Sequence, residues 1–240
     1  MATILLPGDQ IPPDQLPKSK KGTLTLGPHL RHIPPSTILS TTSGTLHTDH
    51  KKSAIWIEHE NGRYLPAVGD LVIAQVHHGS TDYFHCALTP HTAYAVLGQL
   101  AFEGASKKTR PQLKSGDLVY ARVCRTSKWE ETEIECVNSN TGKAEGMGPL
   151  TGGMLFDISP GCARRLMLGA KKGGIVILDE VGEKVKFEVA VGRNGKVWVD
   201  SGSVRETVVI GRLLKMCDEE GWEVERQKKE VKSALKGVAG

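Results

Sequence analysis

Aromatic residues are scarce in this 240-residue chain, with four each of Trp, Tyr and Phe. Set beside 27 Gly and 12 Pro, that scarcity argues against long helices and for short strands joined by many turns. No apolar run approaches the roughly 18 residues of a membrane span, so no membrane segment is expected. Met1–Pro7 lacks the basic start of a secretory leader. The five cysteines (Cys86, Cys124, Cys136, Cys162, Cys217) are odd in number and show no Cys-x-x-Cys spacing. A disulfide framework and a structural zinc are thereby disfavoured, and reduced thiols in a cytosolic or nuclear compartment are expected.

Catalytic signatures are equally thin. There is no Gly-x-Ser-x-Gly elbow, P-loop or His-Glu-x-x-His helix. His47-Thr48-Asp49-His50 and His77-His78 lack a third ligand at useful spacing, so no metal site is expected. Cys162 reads as a core thiol. The run Glu130-Glu131-Glu133-Glu135 is the only acidic cluster and reads as a solvated strand edge rather than a two-metal nuclease site. No catalytic residue and no cofactor is assigned.

What is present is a repeated strand pattern. Gly69-Asp70-Leu71-Val72-Ile73-Ala74-Gln75-Val76 recurs 47 positions later as Gly116-Asp117-Leu118-Val119-Tyr120-Ala121-Arg122-Val123. In each copy a Gly-Asp turn launches a strand, because Gly accepts positive φ and Asp bonds nearby backbone. Alternation places Val72, Ala74 and Val76 on one face, matched by Val119, Ala121 and Val123. With strands at Asp82–Leu88 and Glu131–Val137, and a loop-rich stretch between Leu88 and Pro111, the segment has the plan of a five-stranded OB barrel.

Residues 1–64 show short alternating pieces (Thr23–Leu26, Ala54–Ile57) between Pro and Gly turns, with an Asn61-Gly62 hairpin, and read as a β-rich domain. Ile55 and Ile57 there are candidate contacts to a neighbour, and burial inside the chain would give the same pattern. After a barrel over 65–145, residues 146–240 turn to mixed α and β. Met154–Ile158 reads as a strand, and Ser159-Pro160 caps a helix over Cys162–Leu168. Ile175–Leu178 reads as a buried strand. Lys186–Val191 and Lys196–Val199 flank a hairpin turn in which Asn194 and Gly195 take positive φ. Ser203 and Glu206 form a capping box for a buried helix to Cys217, and Glu223–Leu235 is a surface helix. The fold class is mainly β with a C-terminal α+β part.

The net charge is only +4, but its distribution is uneven. Gly104–Lys128 holds Lys107, Lys108, Arg110, Lys114, Arg122, Arg125 and Lys128 against the single acid Asp117. Such a cluster on a near-neutral chain suits a polyanion, with Lys as point charge and Arg as bidentate fork. Lys107, Lys108 and Arg110 are the primary phosphate candidates, presented by a loop that Pro111 stiffens. Trp129 is a candidate to stack a base or to cover the barrel core.

Tyr64-Leu65-Pro66-Ala67-Val68-Gly69-Asp70, Phe102-Glu103-Gly104-Ala105, Gly146-Met147-Gly148 and Gly192-Arg193-Asn194-Gly195 stand in an order that resembles the cap subunits of the eukaryotic RNA exosome. The resemblance spans nearly the whole chain and implies a β-rich N-terminal domain, an S1-type OB barrel and a KH-like domain. It implies a non-catalytic subunit that binds single-stranded RNA, holds RNase PH-like ring subunits and other cap subunits, and feeds a separate 3′→5′ nuclease in nucleus, nucleolus and cytoplasm. Two departures stand out. The Gly192, Asn194, Gly195 loop lies between predicted strands, whereas the KH loop that grips nucleic acid joins two helices, so its turn chemistry favours a structural role. Tyr83, Phe84 and His85 lack the Gly-Phe continuation usual on the RNA face of S1 strands.

Three readings follow. The chain is an exosome cap, a free-standing S1/KH RNA-binding module of translation or chaperone type, or a metal-dependent nuclease. Co-purification with ring subunits, monomeric RNA binding, and chelator-sensitive RNA decay separate them.

Overall fold

The computed structural model describes residues 3–17, 23–50, 53–58, 63–90, 92–138 and 140–236. The chain divides into two compact units, Met1–Asn61 and Gly62–Gly240.

In the first unit β1 (Ile4–Leu5), β2 (Thr25–Leu26), β5 (Gly44–Asp49) and β6 (Ala54–Glu58) form a sheet in the order β1-β5-β6-β2, and β3 (Leu30–Ile33) and β4 (Thr37–Ser40) form a separate hairpin. Of the two alternatives for Ile55 and Ile57, burial holds: they are the buried centre of this unit with Leu5, Ile11 and Ile38. A strand that alternates inward and outward positions cannot tell from its sequence what covers its inner face. The Asn61-Gly62 turn lies outside the described residues.

The second unit opens with β7 (Leu71–Gly79), β8 (Tyr83–Ala87), β9 (Ala95–Gly98), β10 (Leu118–Arg125), β11 (Glu133–Glu135) and β12 (Gly148–Leu150). The ladder runs β9-β8-β7-β10, and β11 pairs with both β9 (parallel) and β10 (antiparallel), so five strands close into a barrel. Both predicted repeats are neighbours in it. Val119 faces Ala74 and Ala121 faces Val72 in an antiparallel ladder, with all four side chains in the barrel core. Val76, Val123, Phe84, Leu97, Ile134 and Phe102 belong to the same core. Strand β9 falls where the sequence read as loop, because Ala95, Val96 and Leu97 are all apolar and buried, Ala95 and Leu97 in the barrel core, and so show no polar alternation.

The Gly-Asp turns share one construction. Asp117 accepts from the Lys114 amide with Oδ2 (2.7 Å), and Asp70 accepts from the Ala67 amide likewise (3.3 Å). Gly69 and Gly116 occupy φ of 91° and 97°, a region open to glycine. A third copy sits in the first unit, where Asp9 accepts from the Leu6 amide (2.7 Å) behind Gly8 at φ 93°.

The C-terminal part consists of β13 (Met154–Asp157), α1 (Pro160–Met167), α2 (Ala170–Gly173), α3 (Ile177–Gly182), β14 (Phe187–Gly192), β15 (Lys196–Ser201), α4 (Val204–Glu220) and α5 (Val224–Lys236), with sheet order β13-β15-β14. Ser159 caps α1 by accepting from the Cys162 amide (3.0 Å). The expected strand Ile175–Leu178 is replaced by α3. A four-residue apolar run carries no period of its own, and Ile177 and Val181, four apart, bury one helical face while Asp179 and Glu180 favour the first turn. Ser203 caps α4 by position only, without the side-chain bond of a capping box. The helix α5 is anchored within the chain. Its buried Gln227 accepts from the Val176 amide (2.8 Å) and donates to the carbonyls of Gly174 (3.0 Å) and Trp222 (2.9 Å).

The sheet of this part packs on the outside of the barrel. Ile73, on the outer face of β7, is fully buried with Ala190 and Trp198, and Leu118, Tyr120, Leu150 and Leu155 close around them.

Candidate nucleic-acid interface

The barrel has two ends, and they divide the basic window. Antiparallel pairing puts the start of β10 beside Gln75 and its end beside Leu71. Lys107, Lys108, Arg110 and Lys114, in the β9–β10 connection, therefore lie at one end, here the near end, with the Ser80–Asp82 turn. Arg125 and Lys128 lie at the far end, with the 65–70 turn. The eight residues of β10 separate the two sets by about 25 Å.

At the near end the 104–110 loop is held by its own hydroxyls. The Ser106 amide donates to Thr109 Oγ1 (3.0 Å), the Thr109 amide to Ser106 Oγ (3.3 Å), and Thr109 Oγ1 to the Gly104 carbonyl (3.2 Å). Lys107 and Lys108, at the tip of this turn, are exposed and make no ion pair among the described residues. Arg110 is half-buried and donates from Nη1 to Gln99 Oε1, while Gln99 Nε2 donates to the Ser80 carbonyl (2.7 Å). Arg110 thus holds one guanidinium donor in the fold and has others left over. Lys107 and Arg110 border a cleft of about 260 Å³ lined also by Asp82, Tyr83, Gln99 and Leu100.

From the cleft an aromatic strip runs over the outer face of β8. Tyr83 projects half-exposed at its start, whereas Phe84 points into the core. His85 stacks on His78 with centroids 4.4 Å apart, and His77 stacks on Tyr94 at 4.7 Å. A bulge in β7 between Val76 and His78 turns both histidines toward this face. His77 and His78 have ring nitrogens 3.0 Å apart, but among the described residues no group of three His, Cys, Asp or Glu side chains is placed to hold a metal ion. His47 pairs with Glu58 (3.0 Å) and stacks on Trp56.

The remaining basic residues are engaged. Arg122 pairs with Glu135 (2.9 Å) and donates to the Val137 carbonyl (3.2 Å), and Arg125 pairs with Glu130 and Glu133. Lys128 lies over the Trp129 ring at 5.0 Å. Trp129 itself is exposed and covers no core.

The Gly192–Gly195 loop is turned inward. Asn194, almost wholly buried, donates from Nδ2 to the carbonyls of Ile73 (2.8 Å) and Leu88 (2.7 Å) and accepts from the Ile73 amide (3.2 Å). The Arg193 amide donates to the Leu71 carbonyl (2.7 Å), and its guanidinium lies 3.5 Å from Asp70. A Cβ at Gly192 would stand 2.3 Å from Asn194 Oδ1 and 2.7 Å from the Ile73 nitrogen. Positive φ is confined to Gly195 (77°), not shared with Asn194 as expected, because the loop has three residues between the paired Gly192 and Lys196.

Comparison with known proteins places this arrangement. Residues 64–148 match the S1-domain model of exosome complex component RRP40, residues 24–63 match the exosome complex exonuclease Rrp40 N-terminal domain, and residues 153–205 match a KH domain. Exosome complex component RRP40 of Saccharomyces cerevisiae is 36% identical over 222 residues, covering 90% of this chain and 89% of the relative. The chain belongs to the RRP40 family of exosome components. The Drosophila melanogaster RRP40 is also 36% identical, covering 92% of this chain and 91% of its own length. The Rrp4 component of Nitrosopumilus maritimus is 26% identical over 188 residues. A crystal structure of an exosome complex RNA-binding protein shares the fold with a TM-score of 0.57 at 23% identity, covering 72% of this chain and 95% of that one.

Within this RRP40-type chain the turn between the first two KH helices is Leu168–Gly169, while Gly192–Gly195 is the tip of the β14–β15 hairpin, seated against the barrel. Sequence reasoning missed Gln99, Gln227 and Tyr94, and weighed His77-His78 only as metal ligands. Gln99 and Gln227 carry no motif, and their partners come together only in three dimensions. The adjacent pair His77-His78 was legible, but its stacking partners lie on other strands.

Proposed function

We propose that this chain is a non-catalytic RNA-binding cap subunit of the RNA exosome, which binds RNase PH-like ring subunits and other cap subunits and guides single-stranded RNA toward a separate 3′→5′ nuclease. The observation that carries the RNA-guiding role is the unpaired Lys107-Lys108 tip beside Arg110 and the Tyr83 cleft. Phosphates meet point charges there without sequence readout, and bases meet the strip from Tyr83 to Tyr94. Lys107, Lys108, Arg110 and Lys114 form the phosphate set. Arg122, Arg125 and Lys128, engaged in ion pairs or with Trp129, are secondary. The Gly192, Asn194, Gly195 loop serves to join the KH part to the barrel. The pairing of Glu130, Glu133 and Glu135 with arginines supports a non-catalytic role, since those carboxylates are not gathered around a metal position. Domains of 1–64, 65–145 and 146–240, and action in nucleus, nucleolus and cytoplasm, belong to the same reading.

The triple variant K107E/K108E/R110E tests it. RNA affinity of the assembled complex should fall, and the slope of log K against log salt should flatten by about 2, the effect of losing three single-strand phosphate contacts. An unchanged slope removes the phosphate role. RNA decay by the isolated chain that a chelator stops would return the nuclease reading.

A further inference from the structure

We propose that the far end of the barrel is a protein-docking surface, anchored by Trp129 and fitted to a partner subunit that offers an apolar pocket bordered by Lys or Arg side chains. The inference rests on the exosome reading above. Trp129 is 85% exposed, Leu65 69% and Val68 65%. The Gly69 amide donates to the Val123 carbonyl (2.8 Å) and the Val123 amide to the Asp70 carbonyl (2.9 Å). These bonds lay the 65–68 turn beside the root of the β10–β11 loop, so all three apolar side chains share one end of the barrel.

The loop is built to present its tip. Thr126 and Thr132 hydroxyls meet across its base (3.5 Å), and the Trp129 amide donates to Ser127 Oγ (3.2 Å). The indole is not part of the barrel core, and its one described ring contact is Lys128. A large aromatic held out on a braced hairpin is the kind of residue that anchors protein interfaces.

Charge decides between a protein and an RNA partner. Between Arg125 and Glu133 two cations stand against Glu130, Glu131 and Glu133. Arg125 is neutralised by Glu130 and Glu133, Lys128 is drawn over the indole, and Glu131 is left exposed. With its two cations engaged and one acid in excess, the loop is a poorer match to phosphates than to a basic border around a pocket.

The test reconstitutes the full chain with the RNase PH-like ring subunits and measures its affinity for that assembly, alongside the affinity of the free chain for single-stranded oligoadenylate. Trp129→Ala and the double variant L65S/V68S should each weaken association by about tenfold or more. Glu131→Lys should weaken it further as salt is lowered, and Trp129→Phe should restore most of the loss. RNA affinity of the free chain should change by less than about twofold, and thermal midpoints should hold because the side chains are exposed. Association of Trp129→Ala equal to wild type overturns the inference, as does RNA affinity falling about tenfold with association unchanged, which assigns the indole to a base. If the wild-type chain itself does not join the ring, the exosome reading falls and this inference with it.

Discussion

Asn194 shows how a single amide joins two parts of a chain. Its side chain supplies one acceptor and two donors to backbone groups 121 and 106 residues away, in a site closed to water. Asn194→Asp keeps the shape and the acceptor but removes both donors, so the carbonyls of Ile73 and Leu88 lose their partner beside a buried carboxylate. The expected cost is about 3 kcal/mol in urea unfolding. A loss below about 1 kcal/mol contradicts the inward role. That Asn194-Gly195 forms a turn is legible locally. What the amide reaches is not, because no local pattern encodes partners so distant.

At the scale of elements, the Gly-Asp turns were the most readable feature and behave as their chemistry requires. Asp117 bonds only its own turn, whereas Asp70 also accepts from the Tyr64 hydroxyl (2.8 Å) and lies 3.5 Å from Arg193. Asp117→Ala should cost about 1 kcal/mol and Asp70→Ala clearly more, since its loss strands a buried phenol. Equal drops in thermal midpoint would mean that the Tyr64 bond contributes nothing. Unlike these turns, β9 and α3 escaped a reading by period. Strand β9 is short and buried along most of its length, so it has no exposed positions to reveal a repeat, and α3 is too short for its one buried pair, Ile177 and Val181, to establish a helical period.

For the whole molecule, burial of ionisable groups sets the response to alkali. Burial pushes the Cys86 thiol up to about 12 and raises Cys136, Cys162 and Cys217, as well as the Tyr64 and Tyr120 hydroxyls. Above the ordinary thiol value of 9.0 the unfolded chain releases protons that the folded chain retains. These groups therefore contribute fully below that pH and progressively less as pH climbs toward 12. The urea midpoint should show no loss from them at pH 7 to 8 and should decline from about pH 9 upward. A midpoint that holds to pH 11 argues against buried thiols. The same scale governs the cations. Seven basic residues close in sequence are spread between opposite ends of a barrel, and among the described residues only the near-end set has neither an ion pair nor an aromatic partner.

Local chemistry in the sequence determined the turns, the two matched barrel strands, the cap of α1, the β14–β15 hairpin and the order of motifs that carries the family. Each depends on φ preferences, side-chain alternation or hydrogen bonds between residues a few positions apart. Only the tertiary structure decided which cations remain free, that Ile55 and Ile57 are core, that Asn194 faces the barrel and that Trp129 faces solvent. Those outcomes depend on which distant surfaces meet, and alternation along a strand specifies an inner face without specifying what will cover it.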